Sequence, residues 1–217
     1  MTKEEPVTFP CGNLELEGVL YIPDDEEKGS ARVVVCHPHP VFGGSMENMV
    51  IQRICGSIAD NGARCLRFNF RGVGASGGFH NGGKDEVKDV LSAVKYMRGG
   101  KKTTKVVLAG YSFGASMALL AACKDRAIKK VACVALPCGL FDVSPCTGPK
   151  GPKVLLITGN NDPVAPIADL SKFIEGSGSR VRLEPIPGTD HFFGGKMQAV
   201  GRLVADFLVG NGMAQKR

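Results

Sequence analysis

Residues 105–122, KVVLAGYSFGASMALLAA, begin as a run of β-branched and aliphatic residues and end as a run of small helix formers. Ser112 sits at the join, and Gly110-Tyr111-Ser112-Phe113-Gly114 spells G-x-S-x-G. In that pattern a strand turns into a helix too tightly for side chains on either flank, and strained backbone geometry pushes the serine hydroxyl outward. A hydroxyl so placed belongs at the carboxyl end of a strand, where open parallel sheets bind their ligands.

The rest of the chain supplies such a sheet. Residues 7–11 and 14–23 read as two initial strands, antiparallel because only Gly12 and Asn13 lie between them. Further strands are predicted over 32–36, 64–70, 105–110, 130–136, 153–158 and 181–186. Most are apolar without alternation, as parallel strands covered on both faces are, whereas Val181-Arg182-Leu183-Glu184 alternates like an edge.

Between them lie stripes of helical period. Val87, Val90, Leu91, Val94 and Met97 form one; Met46, Met49, Val50, Ile54 and Ile58 a second; Ile167, Leu170 and Ile174 a third; Met197, Val200, Val204, Phe207 and Leu208 a fourth. A further helix is predicted directly after Ser112, over 115–125. Strand and helix in alternation imply an α/β fold, a mostly parallel sheet with helices on both faces. Nothing divides residues 1–217 into more than one domain, and the longest irregular piece is the stretch 137–152.

Composition narrows the function classes. An apolar content of 43% and a charged content of 22% are those of a soluble globule. No run approaches the roughly 18 apolar residues of a membrane span, and residues 1–9 lack the apolar core of a signal peptide. The last four residues, 214–217, match neither the peroxisomal nor the prenylation pattern. A cytoplasmic protein is expected. The eight cysteines contain no C-x-x-C pair and several sit inside apolar strands, which predicts reduced, buried thiols rather than a disulfide framework. The four histidines have no ligand-spaced cysteine partner, so no metal is expected. The charge of +6 gathers in short runs at 99–105 and 127–130, without the aromatic interleaving or module of a nucleic-acid binder.

A second G-x-S-x-G, Gly74 to Gly78, surrounds Ser76. With 29 glycines in the chain a chance match is not rare, and no helix starts there, so strand-and-helix context selects Ser112. A serine hydroxyl needs a base, and the base an orienting acid. Of His37, His39, His80 and His191, only His191 follows Ser112, as the order serine, acid, histidine of this fold requires; it lies in a loop between the last strand and last helix. Asp162, at the end of the intervening strand, is the favoured acid; Asp142, after the preceding strand, competes, and Asp190, next to His191, would point elsewhere on an extended loop. Charge developing on a carbonyl oxygen calls for two N–H donors. One is the backbone of Phe113, and the other comes from the loop 36–48, where Pro38 and Pro40 have no N–H and His39 and Val41 do. Counting two on from His37 selects the His39 backbone, with the His37 and His39 side chains as braces for this loop.

Taken together, VVVCHPHPVFGGSMEN (33–48), RFNFRGVGASGG (67–78), GYSFGAS (110–116), TGNNDPVAP (158–166) and GTDHFF (188–193) resemble the α/β-hydrolase superfamily, in particular its small lidless, dienelactone-hydrolase-like members. The resemblance covers nearly the whole chain. It implies eight strands with the second antiparallel, no lid domain, and a triad of Ser112, Asp162 and His191 that hydrolyses an acyl bond without metal or organic cofactor. Pro38 departs from members that carry glycine there. Dienelactone hydrolase itself uses cysteine, so its particular substrate does not carry over. The expected function is a serine hydrolase of small carboxylic esters or thioesters. The alternatives are a non-catalytic binding module of the same fold and, among enzymes, a serine peptidase.

Overall fold

A computed structural model describes residues 2–101, 103–175, 177 and 180–210. The tail 214–217 and Lys102 of the basic run lie outside the described residues. Among those described, eight strands form one sheet in the order β1-β2-β4-β3-β5-β6-β7-β8. They are β1 (Thr2–Cys11), β2 (Leu14–Pro23), β3 (Arg32–Cys36), β4 (Cys65–Phe68), β5 (Val106–Tyr111), β6 (Lys130–Val134), β7 (Lys153–Gly159) and β8 (Val181–Ile186). β2 runs antiparallel to both β1 and β4, and every other neighbouring pair is parallel. The α/β-hydrolase topology expected from the sequence is thus present.

β1 is longer than the apolar run 7–11 suggested, because Thr2, Lys3, Glu4, Glu5 and Pro6 also pair in register with Pro23 back to Val19. Backbone hydrogen bonds carry that extension. Charges and a proline there suit an edge strand, since they discourage further pairing.

The helices are α1 (Met49–Asp60), α2 (Glu86–Arg98), α3 (Phe113–Lys124), α4 (Ile167–Glu175) and α5 (Met197–Leu208). Alternate strand residues feed two cores. Val34, Leu66 and Leu108 meet α2, α3 and Leu170 of α4 on one face, while Val33, Val35, Val107 and Ala109 meet α1 and α5 on the other. Met46 does not belong to α1, although it shares the helical spacing. The Asn48 side chain accepts the Val50 N–H at 3.0 Å and starts the helix there, and the Met46 N–H goes instead to Asn69 Oδ1 at 2.8 Å. Right-handed parallel crossovers place the starts of α1 to α5 at the carboxyl edge of the sheet, the edge that carries Ser112. No helix among the described residues is long and apolar enough to cross a membrane.

Candidate active site

Ser112 joins β5 to α3 with φ 55° and ψ −120°, a conformation that costs about 1–3 kcal/mol for a residue bearing a side chain. The fold holds it by bonding the Ser112 N–H to Val134 O at 2.8 Å and by burying α3 on nearly all sides. Gly114 explains the close approach: a Cβ there would lie 2.2 Å from Cys36 O and 2.5 Å from His37 O. The start of α3 therefore rests directly on the end of β3. Gly114→Ala should cost about 3 kcal/mol or more, because backbone on both sides must move; a fall in Tm measured by calorimetry checks this.

Three loops converge on the serine. His191 Nε2 stands 3.1 Å from Ser112 Oγ, and His191 Nδ1 stands 2.8 Å from Asp162 Oδ2. The other carboxylate oxygen of Asp162 accepts the Val164 and Ala165 N–H groups at 2.8 and 2.9 Å, which fixes the acid without a cation. Both side chains are largely buried, Asp162 at 3% and His191 at 9% exposure. The other two carboxylates are engaged elsewhere. Asp142 accepts Ser144 N–H and Oγ–H, and Asp190 accepts the Phe192 N–H.

Two devices that bring acid and base together were not read from the sequence. Gly159 ends β7 where a Cβ would sit 2.4 Å from Thr189 O and 2.5 Å from Asp190 O, so the acid loop presses on the histidine loop. Tyr111 donates its hydroxyl to His191 O at 2.9 Å from beside the elbow. Burial raises the Tyr111 phenol, so it remains a donor at neutral pH. A tyrosine inside G-x-S-x-G was the available signal.

Ser76 has a different place. Its Oγ donates to Asn69 O at 2.7 Å and accepts the Glu17 N–H at 3.1 Å, tying the loop after β4 to β2. His80 lies on the wall beside Ser112, 2.8 Å from the buried Glu86 carboxylate, its ring against those of His39 and Phe113.

The loop after β3 makes a short turn over Pro40–Phe42. Within residues 40–44 every N–H has an acceptor. Val41 donates to His39 Nδ1, Phe42 and Gly44 donate to His39 O, and Gly43 donates to Pro40 O. Among residues 39–44, His39 alone has an N–H with no protein acceptor. The first turn of α3 likewise leaves the Phe113 N–H without one, as helix N-termini do. On the connections that leave the carboxyl ends of β3, β4, β6, β7 and β8, Val41, Phe42, Phe79, Leu140, Val164 and Phe192 are each half or more exposed. The 137–152 connection carries only a short turn, Ser144–Cys146, and sets Phe141 against Phe113, with ring centroids 5.8 Å apart.

His37 is buried completely beneath this loop, and burial lowers its imidazole to about 4. It is therefore neutral in the folded protein, while an unfolded chain protonates it below about 6.5. Stability from this group is full above about 6.5 and is lost as pH falls toward about 4, by up to ~3 kcal/mol. Urea midpoints at pH 7 and 4.5 should differ less in His37→Asn than in the native chain.

The family model described as serine aminopeptidase, S33, matches residues 28–153. The chain belongs to that family of α/β serine hydrolases. An α/β serine hydrolase homologue from Coxiella burnetii is 28% identical, covers 95% of this chain and 97% of its own, and superposes with a TM-score of 0.83. An α/β serine hydrolase without lid from Xanthomonas campestris is 29% identical over 93% of this chain and 92% of its own, with a TM-score of 0.84. Est1E of Butyrivibrio proteoclasticus, solved with ferulic acid bound, shares the fold at 20% identity, with a TM-score of 0.81 over 93% of this chain and 97% of its own. Among its described residues this α/β hydrolase has no lid domain, as the Xanthomonas relative is described to have none.

Proposed function

We propose that this α/β hydrolase cleaves small carboxylic esters, with thioesters as close alternatives, through an acyl-enzyme on Ser112. The observation that carries the proposal is the unbroken chain from Ser112 Oγ through the His191 ring to Asp162. His191 Nε2 takes the hydroxyl proton as Oγ bonds to the substrate carbonyl carbon. Negative charge then develops on the carbonyl oxygen, facing the free N–H groups of Phe113 and His39. Asp162 accepts from Nδ1 and stabilises the imidazolium, which next protonates the departing alcohol or thiol as the tetrahedral carbon collapses. Water, deprotonated by the same nitrogen, releases the acid and regenerates Ser112. The steps need no metal or organic cofactor.

The exposed apolar side chains on the loops after β3, β4, β6, β7 and β8 suit a substrate with some hydrocarbon surface, and the ferulic acid bound by Est1E of Butyrivibrio proteoclasticus is of that kind. The family description favours one second reading, amide cleavage by an aminopeptidase. A fluorophosphonate probe together with p-nitrophenyl esters of graded chain length and amino-acyl p-nitroanilides tests both. Ester turnover with labelling at Ser112 supports the proposal; anilide turnover alone replaces it with the peptidase. A folded chain that neither labels nor turns over is a binding module.

A further inference from the structure

We propose, on the ester-hydrolase reading above, that His37 is a positioning residue for the oxyanion hole: its ring holds the Pro38 carbonyl inward and thereby aims the His39 N–H at the reacting oxygen. The order of hydrogen bonds fixes the ring first. His37 Nε2 lies 3.0 Å from the Phe70 N–H, which can only donate, so Nε2 is the unprotonated nitrogen. Nδ1 therefore carries the proton and donates to Pro38 O, 2.6 Å away. The Pro38–His39 peptide is trans. In a trans peptide the carbonyl and the following N–H point to opposite sides of the chain. With the carbonyl directed at a fully buried ring, the N–H of His39 faces away from the core, which agrees with its lack of any protein acceptor.

Two neighbours keep the peptide from rotating. Gly44 packs so closely that a Cβ would lie 2.2 Å from Pro38 O, and Phe70 holds the ring from below with centroids 4.7 Å apart. The far donor is set by the same segment, because Gly114 rests on Cys36 O and His37 O, next to Phe113. A proline at 38 suits this role. It withholds a competing N–H and leaves its carbonyl as the one polar group for His37 to hold. Because burial keeps the ring uncharged at neutral pH, the tautomer, and with it the aim of the donor, does not vary across the working range.

Two substitutions separate this role from a purely structural one. In His37→Asn the side-chain amide can occupy the place of Nδ1–H and still donate to Pro38 O, but it cannot reach Phe70. In His37→Gln the side-chain oxygen can replace Nε2 and accept from Phe70, but nothing donates to Pro38 O. Loss of a whole oxyanion donor costs about 10²–10³ in kcat, so misaiming one should cost roughly 10- to 100-fold. Gln is expected to lose that much kcat on a p-nitrophenyl ester with KM nearly unchanged. Its affinity for an alkyl boronic acid, which forms a tetrahedral adduct on Ser112, should fall in step. Asn is expected to recover most of kcat.

Equal losses in both variants, or losses that track Tm, would overturn the inference while leaving the triad intact. If neither variant folds, ¹⁵N-labelled native protein decides. The His37 Nδ1 proton should be visible and slowly exchanging, and the His39 amide should move downfield when the boronate binds. An unmoved His39 amide overturns the inference. A native chain that never labels or turns over removes the ester-hydrolase reading as well as this one.

Discussion

Ser112→Ala is expected to leave a folded protein that no fluorophosphonate labels and whose ester turnover is lower by about 10⁴-fold or more. The structural cost should be small. Alanine meets the same backbone strain at φ 55°, the bond from the residue 112 N–H to Val134 O survives, and the hydroxyl's hydrogen bond to His191 is what disappears. Equal Tm in the two proteins, with labelling confined to the native one, is the result that supports the nucleophile. Continued labelling of the variant would assign the chemistry to another hydroxyl, and Ser76, with its Oγ engaged by Asn69 and Glu17, is badly placed to supply it.

Asp162→Asn should have nearly as large an effect on rate and little on stability. The amide oxygen can still accept from Val164 and Ala165, so the loop after β7 keeps its bonds. The amide nitrogen then faces His191 Nδ1 and donates to it, which moves the ring proton to Nε2. That nitrogen now presents a proton to Ser112 instead of a lone pair. A drop in kcat of about 10³–10⁴ follows from the wrong tautomer. Asp162→Ala should be just as slow but less stable, because the buried Ala165 N–H and the part-buried Val164 N–H lose their acceptor. Comparing kcat and Tm across the three proteins isolates the orienting role; comparable rates for Asp and Asn would remove it.

The parts of this molecule that could be read in advance are those whose signal is local. The spans of β2, β3 and β8 coincide with their apolar runs, and the four stripes of helical period each correspond to a helix. Ser112, Asp162 and His191 stand out in the sequence because each sits at or just after the end of a strand, and the structure brings the three side chains together. The rest depends on partners distant in the chain. Met46 has helical spacing but its N–H is captured by Asn69, 23 residues away. Residues 2–6 have no apolar pattern and become strand because β2 offers them a partner. Gly159 looks like an ordinary loop glycine until Thr189 and Asp190 are seen against it. The lone N–H of His39 emerges only after each neighbour's acceptor is known.

The short connection from β6 to β7 reaches beyond substrate access. That stretch carries only the short turn Ser144–Cys146, and no lid domain is present among the described residues, so an acyl group placed on Ser112 Oγ by the chemistry proposed above would not be sealed in a closed chamber. Any small alcohol dissolved alongside could then intercept it, so the protein would double as a transesterification catalyst, its product ratio set by the composition of the medium.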